Sequence, residues 1–414
     1  MCDSFDSPWR SLSAEMSLQR SAVQDLNVIM DGDPQSFDRM QALQDIEKHL
    51  ARTRTLNIRS RAFAGLYDTF NLVMAHCVPE HISQLSLCFV SPDDNIHQEI
   101  FMSEALNDQN SEFHNQATRA LSSLTSFRIT EVYFDWKFVT FSTRLFELRL
   151  NTIMLTGSSE VTAFMDALSS ASELRELMLI KVLAFADQGP ILPRGRPVIL
   201  PHLNSLYLED LYCNFVTLIL TSITSTSYRL TLFPSSLVAR NLLRHLETSK
   251  ASTKDLFQVL AGIPVHELKI SDDIIEFWTT RDGLRGLLGS MPTLKVLTIQ
   301  YLDLSNGLLQ GLCPPRSSQC IPFPKLHTIE FHGCYISNNA GGLGLKTVVN
   351  SHPLEKMVLG LTCDPSMHVI SQTTAKSQKR RELIRWLQLK VPFFQFIDDD
   401  QSSTTTAEWN LWEL

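Results

Sequence analysis

One short phrase governs what this chain can fold into: an apolar residue, two free positions, an apolar residue, one free position and a third apolar residue. It runs as Val23-x-x-Leu26-x-Val28, Ile82-x-x-Leu85-x-Leu87, Leu124-x-x-Phe127-x-Ile129, Leu145-x-x-Leu148-x-Leu150, Leu174-x-x-Leu177-x-Leu179 and Leu203-x-x-Leu206-x-Leu208. The second half adds Val265-x-x-Leu268-x-Ile270, Leu294-x-x-Leu297-x-Ile299, Leu326-x-x-Ile329-x-Phe331 and Leu354-x-x-Met357-x-Leu359, with weaker copies at Leu56-Asn57-Ile58 and Leu230-Thr231-Leu232. The middle apolar residues recur about every 30 residues. Prolines at 79, 201, 264, 292, 324 and 353 stand just ahead of six copies. Because proline interrupts a helix, each of these copies starts afresh rather than continuing one long amphipathic helix. The first copy is less constrained, since Ser21 to Met30 fits a helix equally well.

In the x-L-x-L core the chain reads as a short strand with two apolar residues on one face. The rest of each unit must cross behind the strands to begin the next one. Some copies continue further, as in Leu326, Ile329, Phe331, Cys334 and Ile336, the full phrase of a leucine-rich repeat with cysteine in its asparagine-or-cysteine slot. The expected fold class is therefore α/β: a leucine-rich-repeat solenoid, a curved horseshoe with parallel strands on the concave face and helices on the convex face. Residues 1–50 are assigned to an N-terminal cap and first repeat, 51–365 to the array, and 366–414 to a C-terminal cap and tail. The periodicity predicts helices over Ser158–Ser169, Cys213–Ile223, Leu237–Leu246, Gly283–Leu288 and Arg381–Leu389, the last capping the array together with Pro392 to Ile397. Ser91 to Asn115 reads as an insertion with a helix near Ile96 to Leu106. Asp187–Pro201 and Ser305–Pro324, rich in Pro, Gly and Ser, read as exposed loops.

Composition narrows the function. With 414 residues, 44% hydrophobic and 19% charged, the chain buries a large core and is not a disordered tail. A net charge of −8 argues against nucleic-acid or anionic-membrane partners and for protein partners. The eight cysteines are scattered and read as reduced thiols. The acidic start Met1-Cys2-Asp3-Ser4-Phe5-Asp6 lacks the positive charge of a leader, which places the expected protein in the cytoplasm or nucleus. Lys376 to Arg381 is a basic cluster that reads as either a nuclear address or one solvated helix turn. No Gly-rich phosphate loop, G-x-S-x-G or H-E-x-x-H occurs, so no catalytic residue, cofactor or metal is assigned. His76, Cys77, His81 and Cys88 lie close in sequence, but a repeat strand runs between them and they lack the tight spacing of a zinc site.

The repeat offers an inner face instead. By alternation, residues flanking the core-facing pairs line it: Ser126, Arg128 and Thr130; Glu147, Arg149 and Asn151; Glu176 and Met178; Ser205, Tyr207 and Glu209; Glu267, Lys269 and Ser271; then Thr298, Gln300, Glu330 and His332. The candidate protein-binding residues are Arg128, Arg149, Met178, Tyr207, Glu209, Lys269, Gln300 and Glu330. Tyr207, Arg128 and Arg149 are the expected anchors, because interface hot spots favour Tyr, Trp and Arg.

Ala51 to Ile58, Pro201-His202-Leu203-Asn204-Ser205-Leu206-Tyr207-Leu208-Glu209-Asp210 and Phe323-Pro324-Lys325-Leu326 through Phe331 together set out proline, a leucine pair, a strand and a polar turn. This pattern resembles the leucine-rich-repeat region of the large fungal F-box protein family. The resemblance implies a noncatalytic substrate-recognition subunit of a cullin-RING (SCF-type) ubiquitin ligase, whose repeats bind the protein to be modified and whose helical F-box docks on the ligase adaptor. No Leu-Pro-x-Glu opening of such a box stands before Val23. The alternative is a repeat scaffold or regulatory protein with no ligase connection.

Overall fold

The computed structural model describes residues 25–31, 47–61, 63–90, 118–132, 136–186, 197–225, 228–274, 276–315, 322–336, 341–362 and 374–398. Thirteen strands form one sheet in which each strand pairs, always in parallel, with the next one along the chain. They are β1 (Leu26–Asp31), β2 (Thr53–Ser60), β3 (Gln84–Phe89), β4 (Ser126–Thr130), β5 (Glu147–Asn151), β6 (Glu176–Ile180), β7 (Ser205–Glu209), β8 (Arg229–Phe233), β9 (Val265–Ile270), β10 (Val296–Gln300), β11 (Thr328–Cys334), β12 (Lys356–Leu361) and β13 (Phe393–Asp398). A parallel neighbour requires a crossover, and among the described residues eight α-helices of six or more residues serve in these connections. They are α1 (Phe63–His76), α2 (Ser158–Ser170), α3 (Cys213–Ser222), α4 (Thr253–Ala261), α5 (Arg281–Gly289), α6 (Asn306–Gly311), α7 (Gly341–Ser351) and α8 (Thr374–Lys390).

The register stacks the repeated apolar pair. Leu56, Leu85, Phe127, Leu148, Leu177, Leu206 and Leu230 lie side by side in one row, and Ile58, Leu87, Ile129, Leu150, Leu179, Leu208 and Leu232 in the next. None is more than 3% exposed. The rows resume through Leu268, Leu297, Ile329 and Met357, and through Ile270, Ile299, Phe331 and Leu359. Helix residues such as Phe70, Phe164, Phe215, Leu260, Leu287 and Val348 join the same core cluster, so the helices cover this face of the sheet. Their starts are fixed locally: the hydroxyls of Ser252, Thr280 and Ser305 accept the N–H of Asp255, Gly283 and Leu308 at the first turns of α4, α5 and α6.

A second repeated feature closes six of the units. Two positions beyond the second core residue, Glu131, Thr152, Lys181, Asp210, Tyr301 and Gly333 all have φ between 50° and 59°. The five non-glycine members each donate their N–H to the next strand, at 2.9–3.0 Å, as Lys181 does to the carbonyl of Glu209 and Asp210 to that of Phe233. This left-handed conformation costs of order 1–3 kcal/mol at a non-glycine residue and persists only where the surroundings fix it. Here the cross-strand bond fixes it, and in five of the six cases the chain then turns inward to bury the following residue: Val132, Ile153, Val182, Leu211 and Cys334 are at most 2% exposed, while Leu302 is half-buried. Glycine is needed at 333, where a Cβ would lie 2.7 Å from the Tyr301 ring.

Several sequence expectations are corrected. In β1, Val28 and Met30 rather than Leu26 and Val28 stand opposite Leu56 and Ile58, so the first copy lies two residues later than its phrase, and as a strand. Between β8 and β9 the ladder slips: Leu230 faces Val265 and Leu232 faces Leu268, with one extra residue at the bulge. Leu237–Leu246 is not a helix; it holds two single turns and one strand of an antiparallel hairpin, Arg240–Leu242 with Thr248–Lys250. Buried Asn214 of α3 forces this, donating to the Leu242 carbonyl at 3.0 Å and accepting its N–H at 3.2 Å, while Leu242 packs on Met154 and Phe185. Ser305–Pro324 is not wholly a loop, because α6 lies within it with Leu308, Leu309 and Leu312 buried. Its glycines suggested a turn, yet Gly311 is where α6 approaches Leu284 of α5, 3.1 Å from an added Cβ. The expected cap at 392–397 is itself a ladder strand, with Phe394 and Phe396 opposite Met357 and Leu359. The insertion at 91–115 and the cysteines at 2, 320 and 363 lie outside the described residues.

Buried His352, just after α7, ties three segments together. Its Nε2 lies 2.8 Å from the Leu312 carbonyl, so Nε2 carries the proton and donates; its Nδ1 accepts the Leu326 N–H at 3.4 Å, and the ring stacks on Phe323. Burial holds its pKa below the ordinary value of 6.5 despite the Leu312 bond. The unfolded chain therefore binds a proton here that the folded one resists, and this contribution to stability falls as pH drops below about 6.5. His352→Gln should flatten that leg of a stability–pH profile measured by urea unfolding; an unchanged slope would exclude His352 as its source. The register gives a second prediction. Leu206→Ala should cost about 2–5 kcal/mol by emptying a packed core position, while its neighbour Tyr207→Ala, on the other face, should cost much less; thermal melts of the two variants check this, and a register wrong by one residue would reverse them.

Candidate functional site

The face away from the helices carries the residues that alternate with the core pairs, and it divides into three parts. Over β2–β5 it is closed: Asn57, Ser86, Ser126, Arg128, Thr130 and Glu147 are all buried. Glu147 is the hub. Ser126 Oγ donates to its Oε2 at 2.6 Å, Arg128 donates to both its oxygens at 2.9 and 3.1 Å, and Arg149 forms an ion pair with it. Burial pushes the Glu147 pKa up, but the Ser126 hydroxyl and the Arg149 and Arg128 charges outweigh this and hold it below the usual carboxylate range. The three groups neighbour one another because β4 and β5 pair with Ser126 opposite Glu147 and Arg128 opposite Arg149.

Over β6–β9 the face opens. Tyr207 stands between Met178 and Thr231 in the ladder, and all three are half-buried. Tyr207 donates its hydroxyl to Glu209 Oε2 at 2.6 Å, and Lys269 Nζ sits 5.3 Å from the centre of its ring. The β8–β9 slip sets Thr231 opposite Glu267, and the Thr231 hydroxyl donates to the Glu267 carboxylate at 3.3 Å. Burial first, then the negative charge and hydrogen bond of Glu209, push the Tyr207 hydroxyl pKa far up, so it remains a donor. Glu209 is likewise raised, by burial and by Asp210, against the opposing pull of Tyr207, Lys269 and Lys181. The result is an aromatic ring held by fixed polar partners, with cations and carboxylates around it.

The third part lies over β10–β12. Gln300 is opposite His332 in the ladder, and Glu330 receives His332 Nε2 at 3.2 Å and Lys356 Nζ at 2.7 Å. The bond from His332 leads the effects that hold the Glu330 pKa down at about 2, against burial. Thr298 of the same face is buried.

The expected binding residues thus form three groups rather than one. Arg128, expected as an anchor, is 5% exposed and committed to Glu147, so it belongs to the closed part. Arg149 is half-buried at the border. Met178, Tyr207, Glu209 and Lys269 come together in the open part, while Gln300 and Glu330 lie beyond it. Sequence reasoning missed Lys181, Asp210 and Lys356. Alternation extended to β12 would have found Lys356; the first two needed the left-handed turn, which carries no residue signature. Among the described residues no group of three or more His, Cys, Asp or Glu is placed to hold a metal ion, and no helix is long and apolar enough to cross a membrane.

Glu147→Gln would leave Arg128 buried with its partner's negative charge gone. A loss of about 3–5 kcal/mol is expected in urea unfolding, with little effect on the Tyr207 region 2 strands away; a loss under 1 kcal/mol would mean the network is not held by charge.

No family model matches this chain, and no curated protein matches it in sequence.

Proposed function

We propose that this chain is a noncatalytic, leucine-rich-repeat protein whose parallel ladder forms a curved solenoid, and that it binds another protein through the open part of its strand face around Tyr207. The observation that carries this reading is the recurrence of the stacked core pair along the ladder, followed in six of its strands by a left-handed residue. Such a surface suits protein recognition because its residues stand on a rigid sheet, each in a fixed register with its neighbours. Within it, Tyr207 combines a large apolar ring with a held orientation, which lowers the entropy lost on binding. Glu209, Glu267 and Lys269 around the ring supply polar contacts of both signs.

By its resemblance to the fungal F-box family, we propose that the bound protein is the substrate of a cullin-RING ubiquitin ligase, with this chain as the receptor. The test is affinity purification of the tagged chain from its own cells with mass spectrometry, beside a Tyr207→Ala variant. Recovery of the cullin adaptor with both forms, and of a further protein only with the unmodified form, is the expected result. A reproducible partner set without the adaptor would instead make the chain a repeat scaffold. For an isolated partner, Tyr207→Ala should weaken binding about thirtyfold, equivalent to about 2 kcal/mol, with the melting temperature nearly unchanged; calorimetric titration reads this, and unaltered affinity would move the site elsewhere.

A further inference from the structure

The ladder ends at β13, which among the described residues has one neighbour, β12. Phe394 and Phe396 occupy the two core rows there but are only half-buried, whereas Met357 and Leu359 one strand back are fully buried. α8 covers this end incompletely. One flank of the helix faces α7, where Lys346 Nζ lies 5.4 Å from the Trp386 ring; the other carries Arg380, 5.1 Å from the Phe396 ring, and half-buried Ile384 one turn on. Leu389 and Phe393, at the turn from α8 into β13, are 86% and 74% exposed. Large exposed apolar side chains beside a sheet edge are a usual mark of an interaction surface.

The backbone at this edge is set for pairing. The Phe393 N–H donates across to the Glu355 carbonyl at 2.9 Å, so by strand alternation the N–H groups of Phe394 and Phe396 point to the other side, away from β12. The helix beside this edge is basic: between residues 380 and 390 of α8, Arg380, Arg381, Arg385 and Lys390 stand with a single acid, Glu382, in a chain whose net charge is −8, while β13 itself carries an acid only at its end, Asp398.

We propose that the outer edge of β13 is a docking site for an extended, acidic segment of another protein, which adds to the sheet as its next strand. The main-chain groups of Phe394 and Phe396 would bond it, alternate apolar residues would continue the two core rows over the phenylalanines, and acidic residues would meet the basic helix α8. A second copy of this chain is the poorer occupant, since pairing edge to edge would bring two basic α8 helices together.

Two capped synthetic peptides test this on the full chain: Glu-Glu-Val-Thr-Val-Thr-Glu-Glu and its counterpart with Lys in place of each Glu. The acidic peptide should bind at least tenfold more tightly, and Arg381→Glu with Arg385→Glu, both at exposed positions, should remove that preference without lowering the melting temperature. Saturation with the acidic peptide should slow hydrogen exchange at the amides of Phe394 and Phe396 at least tenfold. Binding without that slowing, or equal binding of both peptides, would overturn the proposal. So would protection of these amides before any peptide is added, whether it is lost on removing residues 399–414, which would make the occupant the chain's own end, or grows with protein concentration, which would make it a second copy.

Discussion

Everything in this fold depends on one apolar pair per strand finding the same pair on the strand beside it. A parallel sheet gains no tight hairpins, so each strand must be returned to register by a connection of its own. What keeps thirteen strands aligned is the cost of misplacing the pair: a shift of one residue would turn every leucine of that strand to the other face and put its charged neighbours into the core. The left-handed residue beyond six of these pairs is the complementary constraint. In five of these six it swings the next side chain into the core, so the core continues beneath the turn as well as beneath the sheet. The backbone strain at Glu131, Thr152, Lys181, Asp210 and Tyr301 is tolerated because each residue's N–H is bonded to the neighbouring strand. Local strain and long-range register therefore support each other.

The one slip in the ladder shows how tolerant this arrangement is. Between β8 and β9 the pairing absorbs one extra residue, yet Leu232 still meets Leu268 and both remain buried. The same interval contains the antiparallel hairpin at 240–250, mounted on Asn214 and the small cluster of Met154, Phe185 and Leu242. An inserted hairpin lengthens the connection, and a bulge is the simplest way for the following strand to recover its inward residues without reversing its alternation. The slip also sets Thr231 against Glu267, which helps assemble the polar ring around Tyr207.

Much of this was legible in the sequence because the apolar phrase is both the core pattern and the repeat signal. Leu85, Phe127, Leu148, Leu177, Leu206 and Leu297 fall in the core row that alternation assigns them. The thirteenth strand was legible too, as Val391-x-x-Phe394-x-Phe396, but phenylalanine in both places and a preceding helix disguised it as a cap. Where the reading failed, the deciding contact was distant in sequence. Leu237–Leu246 has helical spacing, and only Asn214 imposes the hairpin. α6 lies in a stretch whose Pro, Gly and Ser content reads as a loop, whereas at Gly311 the lack of a side chain is what allows the approach to Leu284.

The functional face was the harder part, and the reason is physical. Alternation specifies which residues point away from the core but not whether anything lies above them. Arg128 and Tyr207 are equivalent by register and by residue class, both favoured at interfaces, yet the first is locked beneath the surface by Glu147 and Ser126 while the second stays accessible. The difference follows from charge. Arg128 can be buried here because Glu147 Oε1 pairs with both Arg128 and Arg149 while Ser126 donates to Oε2. Around Tyr207, the carboxylates of Glu209, Asp210 and Glu267 outnumber the cations Lys181 and Lys269, and Glu209 is already pushed towards its neutral form. Burying that group further would cost more than leaving it half in water. A partner that brings a positive charge to Glu209 would relieve the same imbalance, so the electrostatics that keep this part of the face open also favour a basic group in whatever covers it.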